Sequence, residues 1–136
     1  MMADVRRFAG ALLFDTDGNL LLQQRDNIPG IIHPGRISLF GGHQEPGESP
    51  LECVVREVHE ELSFFVSADR FAHIGTHEDD DGGQVRIIEL FTAAGLPAAS
   101  LTVTEGALMI VPVSDVAALA GKLTPSAAAA LEYYFA

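Results

Sequence analysis

Two apolar runs, Phe8 to Phe14 and Leu20 to Gln24, flank the polar string Asp15-Thr16-Asp17-Gly18-Asn19. The pattern predicts a β-hairpin, because Asp, Asn and Gly tolerate the positive φ that tight turns require. From Asp26 to Arg36 the chain carries two prolines and two glycines and reads as a loop. A short strand, Ile37 to Phe40, then delivers it to Gly41-Gly42. Between Ser49 and Leu62 the period changes. Leu51, Val54, Val55, Val58 and Leu62 fall on one stripe of a helix, Ser49 is placed to cap it, Pro50 fits its first turn, and Glu52 completes a capping box. Arg70 to Thr76 and Gln84 to Ala94 read as strands separated by the polar segment His77 to Gly83, and Val85 to Phe91 is apolar enough on both faces for an interior strand. Ala107 to Val113 is a further strand. Ser114 is placed to cap a short helix to Leu119, and Thr124-Pro125 opens a last helix reaching about Tyr134. Strands and helices are mixed from the start, so the class is α/β or α+β.

Composition narrows the function. The 136 residues suit one domain, and 48% of them are apolar, enough for a core. Against 19 acids stand only 8 bases, for a formal charge of −11. Such a surface repels nucleic-acid backbones and anionic lipid, so neither is an expected partner. A small anionic substrate remains compatible where a cation neutralises the site. The single cysteine, Cys53, allows no intrachain disulfide and no thiolate cluster, and its place in the helix makes it a packed side chain. No stretch approaches the roughly 20 apolar residues of a membrane span. The expected location is the cytoplasm.

The helix also carries charge in an unusual place. With Arg56 at zero and about 100° per residue, Glu60 falls near 40°, Glu57 near 100° and Glu61 near 140°, away from the apolar stripe. Like charges at i,i+4, as in Glu57 and Glu61, destabilise a bare helix by a few tenths of a kcal/mol. Anions in its C-terminal half also oppose the helix dipole. Local stability does not select this arrangement, whereas hard oxygen ligands in this number suit Mg²⁺ or Mn²⁺. An ordinary solvated acidic face is the competing explanation until the spacing upstream is added.

Gly42, five residues, Glu48, seven residues, then Arg56-Glu57-Val58-His59-Glu60-Glu61-Leu62-Ser63-Phe64 resembles the Nudix box, G-x5-E-x7-R-E-U-x-E-E-x-G-U, where U is bulky and apolar. Ser63 departs from the pattern, standing where the box has a glycine that ends the helix in a left-handed conformation. The ligand positions are intact. The resemblance implies a single Nudix hydrolase domain over residues 1–136, with an α/β/α sandwich around a mixed sheet. It further implies Mg²⁺-dependent hydrolysis of a nucleoside diphosphate linked to another moiety, Mn²⁺ being able to substitute. By position, Glu57, Glu60, Glu61 and the carbonyl of Gly42 would hold the metal, and Glu48 with Arg56 would orient the cluster. The base would be a glutamate inside the box, such as Glu57 or Glu60, or a downstream one. Glu105 resembles the downstream carboxylate of MutT-like members, and a plain turn residue is the equal alternative. Arg25, and more weakly Arg36, would approach substrate phosphate; a surface salt bridge is the other reading of Arg25.

His43 is read as a plain loop histidine, and His33, His59, His73 and His77 show no convergent ligand spacing; the acidic run Glu78 to Asp81 is read as a solvated hairpin tip, and Tyr133 and Tyr134 as packing residues, an aromatic stacked on a base being the alternative. Marks of the ADP-ribose, diadenosine-polyphosphate, NADH and coenzyme A subclasses are absent, Asp79 to Asp81 standing where the first of these has its proline. A MutT-like nucleoside triphosphate pyrophosphohydrolase is therefore the expected activity, acting on a small nucleotide. A nucleoside-diphosphate-sugar hydrolase is the alternative, and a non-catalytic nucleotide-sensing module, which loss of box glutamates would favour, comes after it. A homodimer is left open.

Overall fold

Strand β1, Asp4–Asp15, is paired along its whole length on one side and in two instalments on the other. In the computed structural model, which describes residues 4–31 and 33–136, seven strands form one mixed sheet. After β1 come β2 (Leu20–Gln24), β3 (Ile37–Ser38), β4 (Phe40–His43), β5 (Ala72–Asp81), β6 (Gln84–Leu96) and β7 (Ala107–Val111). The two α-helices are α1, Pro50–Leu62, and α2, Pro125–Phe135, and short 3-10 turns occupy Ala68–Arg70, Ala98–Ser100 and Val113–Leu119.

The sheet runs β3-β2-β1-β6-β5, with β4 on β1 and β7 on β2. Among the described strands β1 and β6 are the one pair that runs parallel, and β6 is interior, between β1 and β5. The first hairpin turns where expected: Asp15 Oδ1 accepts from the backbone N–H of Asp17 and of Asn19 at 2.9 Å each, and Gly18 supplies φ +81°.

Alternation along β1 builds two cores. Ala9, Ala11 and Leu13 face α1, where Cys53, Val54, Val58 and Leu62 are fully buried; Leu12 and Phe14 face the side closed by Ala127 and Ala130 of α2. Each fully buried Val or Leu side chain contributes roughly 1.5–3 kcal/mol, which offsets the acidic crowding on the other face of α1. Helix, sheet, helix is the α/β layering expected from the sequence.

Helix α1 begins and ends as its residues dictate. Ser49 accepts from the Glu52 N–H while Glu52 accepts from the Ser49 N–H, Pro50 opens the first turn, and Ser63 closes the last in the left-handed region at φ 52°, ψ 35°. Thr124 caps α2 through the Ala127 N–H.

Three expectations need correction. The segment Ile37 to Phe40 is two strands, because the chain changes partner at Leu39, from β2 to β1. The acidic segment after Thr76 is not a loop. Strand β5 continues through it to Asp81, and only Gly82 and Gly83, at φ +61° and +93°, make the turn. Opposite charges across the ladder explain this, since Asp79 is in register with Arg86 and binds it. Ser114 caps nothing: Val113–Leu119 is 3-10 and enters from Pro112 without a side-chain cap.

Candidate active site

The polar face of α1 stands over the loop that leads out of β4. Arg56 is its centre. Nε donates to Glu48 Oε2 at 2.7 Å and Nη2 to Glu48 Oε1 at 2.9 Å, a bidentate pair with its geometry fixed by the planar guanidinium. Nη1 donates to Glu57 Oε1 at 2.9 Å and reaches Glu60 Oε2 at 3.3 Å, and Nη2 also donates to the His43 carbonyl at 3.1 Å. One cation thus gathers these three carboxylates, with Glu45 Oε1 a fourth at 3.8 Å, and ties α1 to the loop. Glu48 is held further by the Glu45 N–H, and these bonds, Arg56 foremost, hold its carboxyl down at about 2.

Two consecutive glycines leave room that a Cβ would fill, against backbone at Gly41 and against a side-chain end at Gly42. A Cβ on Gly41 would lie 2.2 Å from the Ala9 carbonyl oxygen, and one on Gly42 would lie 2.5 Å from the carboxyl carbon of Glu57. The bare backbone therefore lets β4 close on β1 and lets Glu57 rest on the loop. Gly41 N–H donates to Glu61 Oε1 at 2.8 Å. Burial nevertheless pushes the Glu61 carboxyl up to about 8; the Gly41 bond and Arg25 oppose the rise, and Glu57 and Glu105 add like charge. Cys53 lies beneath, its thiol directed to the Gly42 carbonyl at 3.6 Å and pushed up to about 12 by burial, which suits an inert packed side chain.

These groups open on one cavity of about 430 Å³. Glu57, Glu60 and Glu61 of α1 line it together with Gly42, Glu105 and Arg25. Arg56 and Glu48 are not in its wall and reach it through the carboxylates they hold. Arg36 is not in the wall either. Its Nη1 donates to the Gly121 carbonyl, which fastens the start of β3 to the segment before α2. Glu105 sits at the cavity because Gln23 Nε2 holds its carbonyl at 2.9 Å, Gln23 being buried and itself bonded by Ser38 Oγ. Gly106, at φ +67°, packs its α-carbon against the Gln24 carbonyl, where a Cβ would stand at 2.3 Å.

The NUDIX domain family model matches residues 4–132 of the chain. The chain belongs to the Nudix family. It is on that ground a Nudix enzyme, with the expected α/β Nudix fold. An isopentenyl-diphosphate Delta-isomerase of Streptomyces avermitilis is 42% identical over 87 residues, 60% of this chain and 42% of that protein. The chain thus spans well under half the length of that relative. Among solved structures, a MutT NUDIX hydrolase from Burkholderia pseudomallei is 25% identical with TM-score 0.76, covering 96% of this chain and 98% of that one. The MutT protein from Methanosarcina mazei is 21% identical with TM-score 0.78, covering 99% and 94%, a likeness of fold.

Sequence reasoning missed much of the cavity wall. Phe8, Gln23, Ser38, Ile88 and Arg86 line it, as does His33, from segments with no shared motif. Alternation could have put Phe8 and Ile88 on one face, but not beside the Nudix box. Tyr133 and Tyr134 are packing residues as read: Tyr133 lies on Gly75 and donates to the Thr76 carbonyl at 3.0 Å, and Tyr134 stacks on Phe14 at 4.8 Å. Among the described residues, no helix is long and apolar enough to cross a membrane.

Proposed function

We propose that this Nudix enzyme hydrolyses the diphosphate linkage of a small cytoplasmic nucleotide, foremost a nucleoside triphosphate to monophosphate and pyrophosphate, with Mg²⁺ as cofactor and Mn²⁺ able to substitute. The observation that carries the reading is the convergence of Glu57, Glu60, Glu61 and Glu105 with Arg25 on one cavity. The donor set fits a hard divalent cation: three carboxylates and the Gly42 carbonyl offer only oxygen. Glu61 is buried beside Glu57 and Glu105 with its carboxyl raised to about 8, and a bound cation would favour its ionised form. As placed, no three His, Cys, Asp or Glu side chains among the described residues converge closely enough to hold an ion. Glu57 and Glu60 lean on Arg56, and Glu61 on Gly41, so binding would draw the carboxylates off these partners.

When bound, the cation supplies charge neutralisation of the diphosphate and a lower pKa for attacking water. The chain's own groups do the rest. Arg25 binds phosphate oxygens, and Glu105 takes one proton from water as its oxygen bonds to phosphorus. The P–O bond to the leaving pyrophosphate breaks in line with that attack. Arg56, anchored by Glu48, sets the positions of Glu57 and Glu60. The test is a Mg²⁺-dependent screen over nucleoside triphosphates, nucleotide sugars and isopentenyl diphosphate, with products identified. Monophosphate plus pyrophosphate is expected. Isomerisation of isopentenyl diphosphate without hydrolysis of any nucleotide would overturn the reading.

A further inference from the structure

Residues 101–106 form the loop that enters β7, and Thr104, Glu105 and Gly106 at its end are exposed. The chain nevertheless ties this loop down on two sides. Toward α1, the Thr102 N–H donates to the Leu62 carbonyl at 3.0 Å and the Thr104 N–H to the Glu61 carbonyl at 3.1 Å. Those carbonyls belong to the last turn of the helix, where no partner exists within the helix itself. Toward β2, Gln23 Nε2 donates to the Glu105 carbonyl at 2.9 Å, and the β2–β7 ladder begins immediately after, with Ala107 opposite Gln24. The loop is thus slung between the helix that carries Glu57, Glu60 and Glu61 and the strand that leads to Arg25.

Gln23 is an odd residue for its place. It follows the fully buried Leu20, Leu21 and Leu22, and is itself 6% exposed, as is Ser38 opposite it on β3. Ser38 Oγ donates to Gln23 Oε1 at 3.2 Å. Both ends of the amide are therefore used, and their order is fixed. Turned over, the amide would set its own oxygen against the Glu105 carbonyl, acceptor against acceptor. Replacing two buried, mutually bonded polar groups by apolar groups of the same shape is nearly neutral for stability or even favourable. Packing alone does not select Gln23. What an apolar residue cannot do at this position is hold the backbone of Glu105.

That hold has a use in the chemistry. A misplacement of about 1 Å between reacting groups can cost a hundredfold in rate, and an exposed carboxylate is placed only as well as its backbone is. Gln23 grips the carbonyl of Glu105 itself, while the Thr104 N–H, one residue back, is bonded to the helix turn that bears Glu61. We propose that Gln23, its amide oriented by Ser38, is a positioning residue that holds Glu105 at the cavity, facing the carboxylates of α1, for proton transfer from the attacking water.

The proposal rests on the hydrolase reading with Glu105 as base, so it is tested in two backgrounds. ATP, GTP, CTP, UTP and UDP-glucose are assayed with Mg²⁺ on the full chain, and kcat and KM are measured for the best of them. Gln23→Met keeps the length of the side chain without its hydrogen bonds, and should lower kcat about tenfold or more with KM within about threefold. Ser38→Ala frees the amide to turn and should lower kcat in the same direction by a smaller factor. In a Glu105→Gln background, Gln23→Met should change kcat by less than about twofold, because the group it positions is already gone. A role in the fold alone would lower kcat by the same factor in both backgrounds. That result overturns the proposal, as does unchanged turnover in Gln23→Met. Should circular dichroism show Gln23→Met unfolded, Ser38→Ala carries the same comparison, and an equal loss with and without Glu105→Gln overturns the proposal there. If the wild type hydrolyses a substrate and Glu105→Gln keeps its rate, the hydrolase reading stands and the positioning role falls. If the wild type hydrolyses none of the five, both fall.

Discussion

A methyl group added at Gly42 would stand 2.5 Å from the carboxyl carbon of Glu57. The clash is with the mobile end of a side chain, so the fold can yield by moving Glu57 while β4 stays in place. Gly42→Ala should therefore cost about 1 kcal/mol or less in stability and at least tenfold in turnover. Gly41→Ala meets the Ala9 carbonyl at 2.2 Å, a backbone atom that cannot step aside, and should lose about 2 kcal/mol or more. Thermal melts and initial rates on the two variants separate the effects. Full activity in Gly42→Ala would show that Glu57 is not needed where it lies.

Metal should stabilise the wild-type fold, because the folded chain presents carboxylates together that the unfolded chain does not. The melting temperature should rise with millimolar Mg²⁺ or Mn²⁺, and much less in the Glu57→Gln, Glu61→Gln double variant. Glu60→Gln should fold normally yet lose most Mg²⁺-dependent hydrolysis. Equal metal shifts in wild type and the double variant would place the ion elsewhere.

Glu48 links stability to acid. Arg56 holds its folded carboxyl at about 2, below the ordinary 4.5, so folding is favoured by the ionised form. That contribution is fully present above about pH 4.5 and is lost as pH falls toward 2. The melting temperature of wild type should decline more steeply between these limits than that of Glu48→Gln. Parallel acid profiles would mean the pair does not couple to folding.

Glu105 and Glu57 compete for the role of base. If Glu105 takes the proton, Glu105→Gln should lower kcat by roughly a hundredfold or more, with KM and metal affinity little changed. Near-wild-type turnover in Glu105→Gln, beside an inactive Glu57→Gln, would return the base to helix α1.

Ser63 occupies φ 52°, ψ 35°, where glycine carries no side-chain penalty. Ser63→Gly should raise stability by about 0.5–1 kcal/mol, visible as a higher melting temperature, without altering turnover. A decrease would mean that the serine side chain stabilises the turn by more than its strain costs.

Helix α1 was legible residue by residue because its determinants are local. Ser49, Pro50 and Glu52 start it, the Val54–Val58–Leu62 stripe orients it, and Ser63 ends it, all within one short segment. The order of its charges followed from the same geometry, which is why Arg56 and its carboxylates could be put on one face before any tertiary contact was known. The first hairpin was equally local, its turn built by Asp15 on Asp17 and Asn19.

What lay beyond reach depended on pairing between distant strands. The parallel alignment of β1 with β6 puts Phe8 beside Ile88, and the β5–β6 register puts Asp79 opposite Arg86. The acidic run after Thr76 reads as solvated tip by composition and is strand in the fold, paired residue by residue with β6 and with Asp79 opposite Arg86. Arg36, the weaker phosphate candidate offered by the family resemblance, donates to the Gly121 carbonyl instead. Periodicity and capping act over a few residues and so determined α1, its charged face and the first hairpin. Register between strands many residues apart is set by which side chains the folded sheet buries, and it decided which side chains share the cavity with that helix.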